Sequence, residues 1–344
     1  MARPRLWIYR ARLDKPSRKR KGQRPLAKLS ARGQTSEGET DGSVSTLPST
    51  QILCIGAALW DVIAQTERPL KPGYDVPGRI RRRMGGVALN VALALVAGGA
   101  RPSLLSYIGR DAEGEALVAA IAAAGIDVGY LLRGAAPTDA YVAVERASGD
   151  VFVAVADCAA LEREGEALLA PLRDGRLPVQ PGSIAVIDGN LPEQVLRALM
   201  DLPGLRAATL ACVPASPGKA LRLRAVLPGG RAMVYVNRRE AELIAETRFQ
   251  SAEAAAKALV AAGAARAIVT DGPHAAADNS ARGLWLATPP KTLSVSTTGA
   301  GDVFLAHHLG AEAAGATPAV ALSRAVAAAA RHVAGGATEI GAPT

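Results

Sequence analysis

From residue 51 onward the chain alternates short apolar runs, each closed by a turn residue, with longer alanine-rich stretches. Ile52-Leu-Cys-Ile-Gly56 is the first such run, and runs of this kind predict buried strands. Further strands are predicted over 104–108, closed by Gly109-Arg-Asp111, and over 184–187, ending in Asp188-Gly-Asn190. Others follow over 207–213, 232–236 and 267–270, the last ended by Asp271-Gly272. The intervening patterns predict helices over 91–97, 113–124, 192–200, 251–262 and 319–334. Alternating strands and helices predict an α/β fold: a mostly parallel sheet with helices on both faces. Two regions depart from this pattern. Residues 67–84, with Arg79-Ile-Arg-Arg-Arg83, read as irregular or edge-strand material. Residues 140–144 and 151–155 flank Ser148-Gly-Asp150, which predicts a β-hairpin outside the main sheet, placed to act as a cover.

One stretch carries chemistry by itself: Ser296-Thr-Thr-Gly-Ala-Gly-Asp302. An apolar run with Leu293 and Val295 precedes it and Val303-Phe-Leu-Ala306 follows, so it reads as strand, glycine turn, helix start. Gly299 and Gly301 let the backbone bend and an anion approach, and the first helical amides carry the positive end of the dipole. Asp302 falls in the first turn beside that cradle. Amides that hold a phosphoryl group, next to a carboxylate that takes a hydroxyl proton, suit phosphoryl transfer. The plainer reading is a helix N-terminus with a favourably placed acidic residue.

The chain has 344 residues, 49% hydrophobic but only 3% aromatic, so its core is built from small aliphatic side chains. The net charge of +9 is concentrated at one end: residues 1–48 hold 12 Lys/Arg and 4 Asp/Glu, which is +8 and leaves +1 for the rest. That segment reads as a basic, disordered extension, with a nucleic-acid arm or an organelle-targeting peptide as sharper alternatives. Cys54, Cys158 and Cys212 are too scattered for a disulfide framework or a zinc site and read as buried small groups, which fits a reducing, cytoplasmic setting. No apolar run has the length of a membrane span.

Three motifs in order now combine: Gly85-Gly86 with Asn90, Asn237-Arg-Arg-Glu240, and Thr297-Thr-Gly-Ala-Gly-Asp302. Together, over about residues 51–336, they resemble the ribokinase-like (PfkB) carbohydrate and nucleoside kinases. The resemblance implies a three-layer αβα sandwich over 51–344, with a small β-sheet lid from about 61–84 and 138–157. It implies Asp302 as catalytic base and Gly299, Ala300 and Gly301 as the anion hole. Asn237 and Glu240 then lie near the phosphates and Mg²⁺, with Glu240 the metal-side carboxylate, and Thr270, Gly272 and Thr298 near the nucleotide. Asp61, Gly85, Gly86 and Asn90 match positions that bind sugar hydroxyls. Taken singly, Asn90 also reads as a helix cap and Glu240 as a solvated helix face. ATP, Mg²⁺ and a monovalent cation are the implied cofactors, and a homodimer through the lid the implied assembly.

Some positions depart from the family pattern. Ser296 stands where many members have Asp, Tyr235-Val236 where Lys-Pro is usual, and Ala275 or Ala276 where a glycine is common. Within the family, Gly85-Gly-Val-Ala-Leu-Asn90, Val153-Ala-Val-Ala-Asp157, Val186-Ile-Asp-Gly-Asn190 and Val213-Pro-Ala-Ser-Pro-Gly-Lys219 resemble pseudouridine kinases. That likeness implies phosphorylation of a 5′-hydroxyl and makes Asp157, Asn190 and Lys219 acceptor contacts; alone they read as a turn residue, a loop cap and a surface charge. Ribokinase-, fructokinase- and adenosine-kinase-like enzymes are the alternatives within the family. A non-catalytic protein gripping nucleic acid through its basic tail is the alternative outside it. His307 and His308, one turn past Asp302, read as packing or surface residues.

Overall fold

A strand buried on both faces reads as an unbroken apolar run, and the runs found in the sequence are the strands of one central sheet. The computed structural model describes residues 50–71, 73–146, 151–293 and 298–335. Of two units, Met1–Val44 lies outside the described residues, as does the basic extension as a whole, and Ser45–Thr344 holds every element below. In chain order these are β1 (Ile52–Ile55), β2 (Leu59–Thr66), β3 (Gly78–Gly85), α1 (Val87–Ala97), β4 (Ser103–Leu105), β5 (Tyr107–Gly109), α2 (Ala112–Ala123) and β6 (Leu132–Gly134). Next come β7 (Ala140–Glu145), β8 (Val151–Asp157), α3 (Ala159–Glu164), α4 (Ala170–Arg173), β9 (Ile184–Asp188), α5 (Glu193–Asp201) and β10 (Thr209–Val213). A 3₁₀ stretch, Pro217–Val226, leads to β11 (Ala232–Asn237), α6 (Arg238–Ala245), α7 (Ala252–Ala261) and β12 (Arg266–Asp271). The last elements are β13 (His274–Ser280), β14 (Gly283–Ala287), α8 (Ala300–Ala313) and α9 (Pro318–Val333).

The eight-stranded sheet runs β14-β13-β12-β11-β10-β9-β1-β4. The strands from β12 to β4 are parallel, and β13 and β14 turn back antiparallel. Alternate residues point to opposite faces. Leu53, Ile55, Ala185 and Ile187 enter one core with α5, α6 and α7, while Ile52, Cys54, Ile184 and Val186 enter the other with α1, α8 and α9. The result is the expected three layers.

A second sheet, β3-β2-β7-β8, stands apart from the first and contains the predicted hairpin strands. Its register sets two kinds of row across the strands. Arg83, Asp61, Tyr141 and Ala156 lie side by side in one; Arg82, Val62, Val142 and Val155 lie side by side in the next. Neighbouring rows face opposite ways. One face therefore carries Asp61, and the other is apolar and solvent-exposed: Ile80 is 76% and Val155 65% accessible. At the root of this sheet Arg82 stacks on the Trp60 ring at 4.1 Å and pairs with Glu113 of α2.

Several local expectations are corrected. The run over 104–108 is two strands in different sheets, because the chain turns at the buried Ser106, whose carbonyl accepts from Leu132 N. The first helix starts at Val87, not Val91, since Asn90 N already bonds to Gly86 O (2.8 Å). No strand leads into the glycine turn among the described residues: 288–293 has no regular structure and Leu293 is 87% exposed. Val295, Ser296 and Thr297, and the turn Ser148-Gly-Asp150, lie outside the described residues. The β13–β14 hairpin has no counterpart among the predicted elements; its alanines and short polar residues carry little strand signal.

Candidate active site

In a parallel sheet the loops at the carboxyl ends of the strands and the N-termini of the following helices gather along one edge. Here that edge collects Asp188 from β9, Asn237 from β11, Thr270 from β12 and the start of α8. Gly299 caps α8 in the left-handed region (φ 78°), which glycine adopts without strain. Val303 N bonds to Gly299 O (3.0 Å), so the amides of Ala300, Gly301 and Asp302 have no acceptor four residues back inside the helix. Those amides, at the positive end of the helix, form an anion-binding surface. The turn is tied to α9, where His332 Nε2 donates to the Thr298 carbonyl (2.8 Å).

Asp302 is 9% exposed, and the Asn90 side-chain amide donates to its Oδ2 (3.0 Å). Its carboxyl pKa is pushed up to about 7. Burial is the main cause; the Asn90 hydrogen bond works against it, and the nearby carboxylates of Asp188, Asp61 and Glu240 add to it. Asn90 is a contact to Asp302 from inside α1, not a cap. What positions it is Gly86, whose φ of 94° lets α1 start immediately after β3 and whose missing Cβ avoids a collision with the Ala57 carbonyl. Gly85 packs against the Asp61 carboxyl, where a side chain would also collide. Asp61 is buried and its pKa raised, chiefly by desolvation, against the opposing charge and hydrogen bond of Arg83 (Nε to Oδ2, 3.4 Å).

Farther along the edge, the fully buried Asp188 accepts from Ala57 N (2.8 Å) and from Asn190 N (2.8 Å) and Nδ2 (3.2 Å). Asn190 Oδ1 in turn accepts from Lys219 Nζ (2.9 Å). These two predicted residues therefore meet. Asp157 is set apart: it is exposed at the end of β8, where its carboxylate accepts from Ala159 N (3.2 Å).

On the other side, Asn237 and Glu240 form a capping box at the start of α6. Asn237 Oδ1 accepts from Glu240 N and Glu240 Oε2 from Asn237 N, both at 2.9 Å. Glu240 is buried, not a solvated helix face, and desolvation raises its pKa. The box engages Oε2 and leaves Oε1 for another partner. One buried carboxylate fits Mg²⁺, which keeps several waters and is usually held by one or two carboxylates together with substrate phosphates. Thr270 pairs with Asn237 in the sheet register, and Gly272 sits at φ 56° in the exposed turn into β13.

Arg83 and Tyr141, beside Asp61, and Glu162 and Arg222, beside Lys219 and Asn190, were not among the predicted site residues. Only Arg83 had a signal, the basic run on an edge strand. His308 is fully buried packing: Tyr235 Oη and His308 Nδ1 lie 2.8 Å apart, and the ring stacks on Phe304. Burial raises the pKa of all three cysteines, to about 11 for Cys158 and about 12 for Cys212, so none is poised as a thiolate.

Residues 49–344 match the family model for pfkB family carbohydrate kinases. The chain is 29% identical over 265 residues to the pseudouridine kinase of Escherichia coli K12, covering 74% of this chain and 81% of that protein. It is 30% identical over 225 residues to the ATP-dependent 6-phosphofructokinase isozyme 2 of the same organism, covering 63% and 71%. A solved carbohydrate kinase from Agrobacterium tumefaciens superposes with a TM-score of 0.69 at 27% identity, over 82% of this chain and 90% of that one. The three layers with a small side sheet are the ribokinase-like fold, shared with solved ribokinases. Among the described residues no helix is long and apolar enough to cross a membrane. The chain is a kinase of the pfkB carbohydrate kinase family.

Proposed function

We propose that this kinase uses ATP to phosphorylate the 5′-hydroxyl of a nucleoside, and that the nucleoside is pseudouridine. The observation that carries the reading is Asp302: a buried carboxyl in the first turn of α8, fixed by Asn90, beside the amides at the start of that helix, which have no acceptor within it. Asp302 is the general base. A pKa near 7 suits that role, because the group is both ionised in useful amount at neutral pH and basic enough to take the proton. The amides of Gly299, Ala300 and Gly301 hold the charge that develops on the moving phosphoryl group. Asn237, Glu240, Thr270, Gly272 and Thr298 form the nucleotide side. Glu240 would hold Mg²⁺, which, when bound, neutralises phosphate charge.

Asp61, Gly85, Gly86 and Asn90 take the sugar hydroxyls, and Asn190 and Lys219 take the base. Asp157 serves at the rim. The four-stranded sheet is the lid, with its Asp61 face over the acceptor. Pseudouridine as acceptor is supported by the 29% identity to a pseudouridine kinase together with the hydrogen-bonded Asn190–Lys219 pair. The exposed apolar outer face of the lid supports pairing with a second copy of the chain.

The test is ATP turnover by the full chain against pseudouridine, uridine, adenosine, ribose, fructose and fructose 6-phosphate. Pseudouridine should exceed every other acceptor in kcat/KM by at least about tenfold, the discrimination of a few specific polar contacts. Preference for fructose 6-phosphate or ribose would overturn the acceptor while leaving the kinase standing. The absence of turnover with any of the six would overturn the nucleoside reading.

A further inference from the structure

Helix α3 bridges the two sheets: its Ala160 and Leu161 side chains are buried in the core of the large sheet, while its first-turn amides are held from the small one. Asp139, just before β7, accepts from Ala160 N and Leu161 N (both 3.1 Å), and Asp157, the last residue of β8, accepts from Ala159 N. The roots of both strands thus grip the first turn of α3. The next side chain, Glu162, adds a polar tie to the larger body. Its Oε1 accepts from Arg222 Nη2 (2.8 Å) and pairs with Lys219 Nζ (3.1 Å), both on the 3₁₀ stretch of the larger body. The same two cations serve Asn190: Lys219 Nζ donates to its Oδ1 and Arg222 Nη1 to its carbonyl (2.6 Å). Asn190 is held by Asp188, and Asp188 also takes Ala57 N, just ahead of β2. A closed polar ring therefore joins three strands of the small sheet to Asn190 and Lys219.

An isolated half-exposed ion pair would matter little. Glu162 differs because two cations converge on a single oxygen, which links α3 to both. We propose that Glu162 is a positioning residue for the acceptor site: it couples the seating of the four-stranded sheet to the Lys219 ammonium and, through it, to Asn190. This rests on the reading of Lys219 and Asn190 as acceptor contacts. With Glu162 neutralised, Lys219 loses its counter-charge, and α3, which is gripped by the roots of β7 and β8, loses its charged tie to the 3₁₀ stretch.

The test uses full-length Glu162→Gln, Glu162→Asp, Lys219→Met and the double variant Glu162→Gln/Lys219→Met, with folding checked by thermal melting. Two readouts are taken: KM for the preferred acceptor and for ATP, and amide hydrogen exchange over 139–157 without ligand. Glu162→Gln should raise the acceptor KM about tenfold, the scale of a charge-assisted hydrogen bond, with ATP KM unmoved. Glu162→Asp should recover most of the loss, and the double variant should be no worse than Lys219→Met. Exchange over 139–157 should quicken in Glu162→Gln. Fully additive losses in the double variant, or exchange at the wild-type rate, would overturn the proposal. If the wild type phosphorylates no nucleoside, the acceptor reading falls, and the exchange experiment alone still decides whether Glu162 seats the sheet.

Discussion

The two sheets of this kinase are built on opposite principles. The eight-stranded sheet is covered by helices on both faces, and its parallel strands are almost wholly buried. The four-stranded sheet has one face set with Asp61, Arg83 and Tyr141 and another of Ile80, Val142, Val153 and Val155 turned to solvent, and β8 is exposed along its whole length. The first can hold Asp302, Asn237 and Asp188 in fixed geometry because moving any of them disturbs a close-packed core. The second gains little stability from its own packing and relies on its ties at the root: Trp60–Arg82, Asp139 and Glu162. If the small sheet is the lid proposed above, a rigid body for the chemistry and a loosely supported cover suit a kinase, in which water must be excluded only while both substrates are bound.

That contrast can be tested from both sides. The largest effect should come from the rigid side: Asp302→Asn should lower kcat by about 10²–10⁴-fold, measured by steady-state phosphate transfer, with cooperative melting retained. Leu53→Ala, fully buried on β1 of the large sheet, should cost about 2–5 kcal/mol by urea unfolding. Val155→Ala, on the exposed face of the small sheet, should stay within about 0.5 kcal/mol in the same experiment. If that residue pairs two copies of the chain, the dimer should weaken in sedimentation as the protein is diluted. An equal loss from Leu53→Ala and Val155→Ala would erase the distinction between the sheets.

A further effect concerns pH and stability. Folding raises the Asp302 pKa from its ordinary 3.8 to about 7, so the folded state binds the proton more tightly than the unfolded chain. The stabilisation of the protonated form is present at low pH and is lost as pH rises through that interval. Asp302→Asn removes the buried charge. Its Tm should match the wild type near pH 4 and exceed it at pH 8 by several degrees. A variant less stable at pH 8 would mean that the ionised carboxylate is well accommodated.

The large sheet was legible in the sequence and much of the small one was not, for a physical reason. Gly299, Asp302, Asn237 and Glu240 act within a single turn of backbone, so short motifs specify them. Strand runs such as 184–187 and 232–236 declare themselves because burial on both faces leaves only apolar residues. Glu162 and Arg222 lie 60 residues apart, and Asp61 and Arg83 22 apart; each meeting depends on register and on how two sheets are joined, which no local pattern encodes. Leu293 shows the converse: an apolar residue that suggested a strand sits in an exposed loop, because a single hydrophobic side chain is no measure of burial.

The account depends most on Asp302 being the base that readies the acceptor hydroxyl. The measurement closest to that claim is the pH dependence of kcat/KM, which reports on the free enzyme. The wild type should lose activity on the acid side with a midpoint near 7, and the residual activity of Asp302→Asn should lack that limb. A wild-type profile flat down to pH 5, or the same limb surviving in Asp302→Asn, would contradict it.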